Sequence, residues 1–241
     1  MSMVLTLNKI IDFPDNMDIS VIGKETVMIE GKEDTAETRI YKEDDQTKFI
    51  TGYTKYNVRH SQRYKIEGKL WGREFSQIMR LLKLSVYTNA SLEYAYSIGT
   101  IKADFAHSAF SRLRKGTSVK CEPIEVDLIE TVEKIIKFAP DIAINSGWFS
   151  NLGLPNLNNV LLQGDSVNLG PEWNKFKKSA GASLSNIELI IDDKDFDKNY
   201  VKVSLSKRGV IFSHTNLTHK KLLEIAEKIQ SILNKKLITV P

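Results

Sequence analysis

The pattern that most constrains the fold lies near the C-terminus, where apolar residues occupy every second position. This alternation runs over residues 187–191 and again over residues 201–205, and a third apolar run follows Gly209. A period of two is that of a half-buried β-strand, so three antiparallel strands are predicted. Thr218 then begins a segment with an apolar stripe at helical spacing. A helix that covers one face of a sheet makes a two-layer α/β unit.

The first seventy residues indicate short β-strands separated by turns. Residues 26–29 and 49–51 are rich in β-forming residues, and residues 31–34 (Gly-Lys-Glu-Asp) are typical of a turn. Residues 63–71 continue the pattern, with Tyr64 on an inward apolar side and cations on the other. We therefore expect an antiparallel meander.

The central part of the chain changes to helical spacing. Apolar residues recur at intervals of three and four over residues 75–82 and again over residues 98–113. The second of these predicted helices ends in cations, among them Arg112, which complement the helix dipole without any partner. Asp127 begins a third predicted helix, which ends before Pro140.

The predicted fold class is α+β. It has an antiparallel β-meander at the N-terminus, central helices, and C-terminal antiparallel strands covered by a terminal helix. Residues 145–159 are rich in Asn, Gly, Ser and Pro, and predict a long loop in which Trp148, Phe149 and Leu152 are apolar anchors. We place a boundary there, between a β-rich region with helices (1–144) and an α/β unit (145–241). The alternative is one continuous domain.

The composition indicates a soluble cytoplasmic protein. The chain has 241 residues, 41% of them hydrophobic, which is enough for a core without disulfides or metals. Its one cysteine, Cys121, cannot form an intramolecular bridge and is expected in the core. The sequence shows neither a secretory signal nor an apolar run long enough for a membrane helix. The sequence also lacks phosphate-loop and dinucleotide-binding motifs, so no cofactor is expected. A bound metal and a membrane partner are not expected either.

Charge is distributed unevenly, and this is the strongest functional pattern. Residues 1–48 hold 6 cationic and 11 acidic residues, whereas residues 49–121 hold 13 and 4. Either the acidic part covers the basic part, or the basic part faces an anionic partner. The expected contacts are Lys55, Arg59, Arg63, Lys65 and Lys69 with phosphates, and Tyr56 and Trp71 with unpaired bases. The lead hypothesis is a non-enzymatic protein that binds nucleic acid, with an acidic protein surface as the second choice of partner.

Two other functions stay open from the sequence. The first is a regulatory or assembly protein that contacts another protein, or a second copy of itself, through Trp148, Phe149 and Leu152. The second is a metal-dependent nuclease or phosphodiesterase. Its candidate catalytic residues are Asp165, Asp192 and Lys194, which follow two predicted strands and could meet at one sheet edge.

Overall fold

A computed structural model describes residues 3–14, 20–100, 104–213 and 215–237. The chain divides into two compact units. The N-terminal unit is Thr6–Pro123, and the C-terminal unit comprises the described residues of Met1–Leu5 and Ile124–Pro241. A mixed helical and β-sheet fold, rich in antiparallel strands, is confirmed. The division follows Pro123, whereas the sequence suggested a boundary at residue 145.

The N-terminal unit is built on an antiparallel sheet with the strand order β2-β3-β4-β5-β6-β1, and β7 pairs with β1. Its strands are β1 (Met3–Asp12, whose first three residues belong to the C-terminal unit), β2 (Val21–Ile29), β3 (Lys32–Lys42), β4 (Tyr53–Leu70), β5 (Arg73–Asn89), β6 (Tyr94–Gly99) and β7 (Lys120–Pro123). Strands β2 to β6 follow one another as a meander, because each pairs with the next in sequence.

Helix α1 (Asp104–Gly116) covers one face of this sheet. It buries Phe105, Ala109 and Leu113, as its spacing predicts, against sheet residues that include Val58 and Leu84. The predicted helix began too early, because Ile98 lies in β6, and residues 101–103 fall outside the described part. Cys121 is buried in the same core, as expected.

The hairpin of β4 and β5 extends well beyond this core. No residue of β4 from Ser61 to Leu70 is buried, and none of β5 from Arg73 to Leu81. Residues 75–82 lie in strand β5, so the helix predicted there is wrong. The inward position predicted for Tyr64 is wrong as well, since its side chain is half exposed. Both errors arise because neither face of this part of the hairpin packs against a core.

The C-terminal unit has the strand order β12-β11-β10-β8-β9. Its elements are α2 (Leu128–Phe138), β8 (Ile142–Leu154), β9 (Leu157–Gln163), α3 (Pro171–Lys177), β10 (Ser183–Asp192), β11 (Tyr200–Ser206), β12 (Val210–Ser213) and α4 (His219–Leu233). The three predicted C-terminal strands and the terminal helix are confirmed. So are two helix caps, because Asp127 accepts hydrogen bonds from the first turn of α2, and Thr218 accepts one from Lys221.

The loop predicted over residues 145–159 is wrong, since it forms most of a β8–β9 hairpin. Its glycines and asparagines serve the strands instead of interrupting them. A Cβ at Gly147 would lie 2.3 Å from the Trp173 ring, so glycine is needed for that close approach. Asn151 and Gly153 have positive φ angles where the register shifts, in a bulge between Ser150 and Leu154.

Candidate anion-binding face

Three cations lie side by side on the sheet of the N-terminal unit. Arg39 on β3 is directly opposite Arg59 on β4, and Arg59 is directly opposite Lys83 on β5. Neighbouring strands are about 4.8 Å apart, so the three backbone positions span only about 10 Å. All three side chains are exposed. The strand register thus concentrates positive charge at one place.

This row has no described intramolecular counterion. No carboxylate among the described residues lies within salt-bridge distance of Arg39, Arg59 or Lys83. The Tyr41 ring, 5.8 Å from the Arg59 guanidinium, is an aromatic contact of the row. Like charges directly opposite one another destabilise a sheet, so an anion bound here would relieve repulsion as well as gain contacts.

Two more cations extend the row along β4. Arg63 and Lys65 alternate with Arg59 in a part of the strand that has no register shift, and therefore share its face. The guanidinium of Arg63 also donates a hydrogen bond of 3.4 Å to the Met28 carbonyl. We call Arg39, Arg59, Lys83, Arg63 and Lys65 the basic face.

The other two predicted cations are not part of the basic face: Lys55 lies on the same side of β4 but is paired with a carboxylate, and Lys69 lies on the other side. Lys55 is nearly buried and bonds to the Glu43 carboxylate at 3.1 Å. Hydrogen bonds from Asn57 and Lys55 lower the pKa of that carboxyl to about 2. Lys69 follows a bulge between Lys65 and Gly68, and the extra residue places its side chain on the other face of the hairpin. There it pairs across the strands with Glu74.

A pocket of about 430 Å³ opens beside the cation row. Arg59, Lys83 and Lys48 supply cations to its wall, and Asn57 and Ser85 supply neutral hydrogen-bonding groups. Its complete lining is Tyr41, Glu43, Lys48, Asn57, Val58, Arg59, Lys83, Leu84, Ser85, Ile98, Gly99 and Thr100. Lys55 matches the charge of Glu43, and Lys48 bonds to Asp45. Arg59 and Lys83 are then the cations of the wall without a described carboxylate partner, and they favour an anionic ligand.

The predicted aromatic contacts have separate positions. Tyr56 is buried in the core and packs edge-on against Phe13, with ring centroids 5.1 Å apart, so it is closed to a base. Trp71 is 93% exposed in the turn at the tip of the β4–β5 hairpin. Tyr64 is half exposed on the same hairpin, with Arg80 5.4 Å from its ring centroid.

The acidic opening part of the chain does not cover the basic face within the described residues. Its carboxylates are used elsewhere: Glu25 bonds to Arg112, Glu37 to Lys24, and Asp45 to Lys48. Glu30 accepts hydrogen bonds from the backbone of Ser76 and Gln77, which lowers the pKa of its carboxyl. The acidic and basic parts do neutralise one another in part, through Glu25 with Arg112, Glu43 with Lys55 and Asp12 with Lys120, but no described ion pair involves the basic face.

Arg39 and Lys83 were missed by sequence reasoning. Arg39 falls in the part of the chain that is acidic on average, and Lys83 follows residues assigned to a helix. Only the strand register brings them beside Arg59. A clue was available for Arg39, because it alternates with Glu37 and Tyr41 in a β-forming segment.

Arg112 is not a surface cation of the helix end. Its side chain is 7% exposed and reaches from α1 into the sheet. It donates hydrogen bonds to the Glu25 carboxylate (3.1 Å), to Thr38 Oγ1 (3.2 Å) and to the Ser61 carbonyl (2.6 Å). These bonds join α1 to three strands, so the role of Arg112 is structural.

The proposed metal ligands are far apart. The Gly164 amide donates to the carbonyl of Asn145 on β8. The Asp192 amide donates to the carbonyl of Asp141, which immediately precedes β8 and lies four residues before Asn145. Four residues of strand span about 13 Å, and β9 and β10 flank β8 on opposite sides, so Asp165 and Asp192 are separated by roughly 16 Å. No group of three or more potential metal ligands occurs among the described residues. Lys194 is exposed after Asp192, and these three residues form no joint site.

The proposed interface anchors are also divided. Phe149 and Leu152 are buried, and Phe149 packs edge-on against Trp173 with ring centroids 5.0 Å apart. Trp148 is 44% exposed on the opposite side of β8. Because strand residues alternate between the two faces, neighbouring anchors cannot serve the same surface.

No family model matches this chain, and no curated protein matches it at a significant level. In the part of the chain that the structure describes, no helix has the length and apolar character needed to cross a bilayer. Functional inference therefore depends on the geometry of the basic face and its pocket.

Proposed function

We propose that the N-terminal unit binds nucleic acid through the basic face, with a binding role rather than a catalytic one. The observation that carries this proposal is the row Arg39, Arg59 and Lys83, three exposed cations in register without a described carboxylate partner. A polyanion satisfies several such cations at once and gains affinity by releasing counterions.

The arrangement favours a single strand over a duplex. Cations two residues apart on a strand are separated by about 6.6 Å, so Arg63 and Lys65 continue the row at intervals that an extended backbone can follow. Trp71 offers an exposed ring beyond them. Exposed aromatic faces stack on unpaired bases, which a duplex keeps inside. The pocket beside Arg59 is large enough to take one end group or base of such a strand.

The cytoplasmic location expected from the sequence belongs to the same proposal. Burial raises the pKa of the Cys121 thiol to about 12, which keeps the thiol protonated and unreactive. A single protected thiol is suited to a reducing compartment, where nucleic acids are found.

Two lysines of one strand provide a matched test. Lys65 and Lys69 are both exposed on β4 and both can be changed to Glu, but only Lys65 shares the face of Arg59. Fluorescence anisotropy with a labelled single-stranded oligonucleotide should show weaker binding for Lys65→Glu. The slope of log affinity against log salt should fall by about 0.7 for each phosphate that the variant no longer neutralises. Lys69→Glu should bind as the unmodified protein does.

A double variant, Arg59→Glu with Lys83→Glu, should abolish binding, because it reverses two of the three charges in the row. Equal losses of affinity for Lys65→Glu and Lys69→Glu would mean that net charge alone acts, without a specific face. Retention of oligonucleotide binding by the double variant would refute the proposal. An acidic peptide that binds when oligonucleotides do not would assign the face to an acidic protein instead.

A further inference from the structure

Strand β9 is the outer strand of the sheet in the C-terminal unit. It pairs with β8 on one side, and no other described strand pairs with it. All seven of its residues are at least partly exposed. The outer edge of β9 therefore presents unpaired backbone N–H and C=O groups.

This edge lacks the features that usually protect an outer strand. Its sequence is Leu-Asn-Asn-Val-Leu-Leu-Gln, with no charged residue and no proline. Natural edge strands carry charges or prolines, or are covered, because an exposed edge pairs with other chains. Strand β2, which ends the strand order of the N-terminal unit, contains Lys24 and Glu25 and packs against α1. Protection is thus present at one edge and missing at the other.

Apolar side chains accompany the open edge. Trp148 on β8 is directly opposite Leu161 on β9, and these side chains are 44% and 50% exposed. Leu154 is likewise opposite Leu157, and both are about two-fifths exposed, at 42% and 39%. Two exposed apolar pairs beside an unpaired edge are more than the scattered single residues that a surface normally shows.

We infer that β9 is a self-association edge, which pairs antiparallel with β9 of a second copy of this chain around a two-fold axis. An extended strand is required, because the unpaired backbone groups need partners at strand spacing. A second copy fits because the strand is uncharged, so two identical strands meet without repulsion. The two-fold axis also brings the same exposed leucines to both sides of the interface.

The area suits a reversible dimer. Pairing two seven-residue strands and covering Trp148 with its neighbouring leucines buries roughly 1,000 Å² over both copies, at the lower limit for a specific interface. The dimer should therefore dissociate on dilution. This inference does not depend on nucleic-acid binding, since it concerns the other unit and needs no ligand.

Size-exclusion chromatography with light scattering tests the inference. With rising concentration, the mass of the full chain should increase from 27.4 kDa toward twice that value. Leu161→Lys places a charge beside Trp148 and should keep the protein monomeric. Asn159→Lys, at an exposed position of the same strand opposite Ser150, should also weaken the dimer without affecting the fold. Ile136→Lys is the control, since Ile136 is 57% exposed on α2, a helix outside the β8–β9 hairpin.

Hydrogen exchange locates the contact. Backbone amides of β9 should exchange more slowly at concentrations where the dimer forms, and Leu161→Lys should remove this protection. A mass of 27.4 kDa at every concentration, or dimers of both lysine variants of β9, would overturn the inference. So would a dimer whose β9 amides exchange at a rate independent of concentration, growth into open-ended aggregates, or protection of β9 by a different protein alone.

Discussion

Acid should weaken the N-terminal unit through His60, which is fully buried between the sheet and α1. Thr38 Oγ1 lies 2.7 Å and Arg112 Nη1 3.1 Å from His60 Nδ1, so this nitrogen accepts hydrogen bonds. The proton is therefore on Nε2, which donates to Ser108 Oγ at 3.2 Å. A second proton on the ring would be bound to Nδ1, where it would meet the donor groups of Thr38 and Arg112. Burial and, secondarily, the charge of Arg112 lower the pKa of His60 to about 4, against a smaller opposing effect of Glu25.

The sign and size of the effect follow from this difference in pKa. The unfolded chain, with an ordinary histidine pKa near 6.5, takes up a proton below that pH, whereas the folded chain does not until about pH 4. Stability is therefore full above pH 6.5 and is lost as the pH falls toward 4. At 1.36 kcal/mol per pKa unit, the loss is about 2 kcal/mol at pH 5 and about 3 kcal/mol at pH 4.

Hydrogen exchange of the α1 amides at pH 7 and pH 5, corrected for intrinsic rates, measures the opening free energy of this unit separately. His60→Asn is the comparison, because its side-chain oxygen can accept near the position of Nδ1 but does not titrate. The variant should be less stable at pH 7 and should lose about 2 kcal/mol less between the two pH values. The same loss of stability in both proteins would show that other groups cause the acid sensitivity, and would refute the assignment to His60.

Three further predictions concern single side chains. In urea unfolding, Arg112→Met should lower the free energy of unfolding by about 3–5 kcal/mol, because it leaves buried hydrogen-bond partners unsatisfied. Arg114→Met, on the same helix, should lower it by less than about 1 kcal/mol, because the bond from Arg114 to Glu122 is exposed. Trp71→Ala should weaken binding of single-stranded oligonucleotides by about 1–3 kcal/mol in anisotropy titrations and leave duplex binding unchanged; equal weakening for both would exclude stacking. Cys121 should resist a thiol reagent at pH 8 in the folded protein and react in urea, and rapid reaction without urea would contradict its burial.

The elements that could be predicted from the sequence are those with one buried face. Strands β10 and β11 alternate between core and surface, and α2 and α4 combine an apolar stripe with a capping residue. The outer half of the β4–β5 hairpin has no buried face, so its apolar residues do not occupy every second position as they do in a half-buried strand. Their chance spacing at residues 75–82 then resembles a helix.

The candidate site was only partly predictable, for three reasons of geometry. Arg59, Arg63 and Lys65 share a face because they alternate on one strand, which a sequence can indicate. The bulge that turns Lys69 away and the register that adds Arg39 and Lys83 depend on strand pairing, which is set by the whole sheet. Lys55 is excluded for a third reason, since its partner Glu43 follows a different strand.

The outer half of the β4–β5 hairpin is held by strand pairing and by hydrogen bonds to Glu30, without a hydrophobic core. A two-stranded hairpin alone is marginally stable in water, and here Trp71 and Gly72 both have positive φ angles, which for a bulky residue costs about 1–2 kcal/mol. Strand β5 is supported from the turn between β2 and β3, because the Glu30 carboxylate accepts from the Ser76 and Gln77 amides at 2.7 and 2.6 Å. Burial does not offset these costs, since no residue of the outer half is buried. Under the proposed function, contact of its cations and the Trp71 ring with a nucleic acid would offset part of these costs.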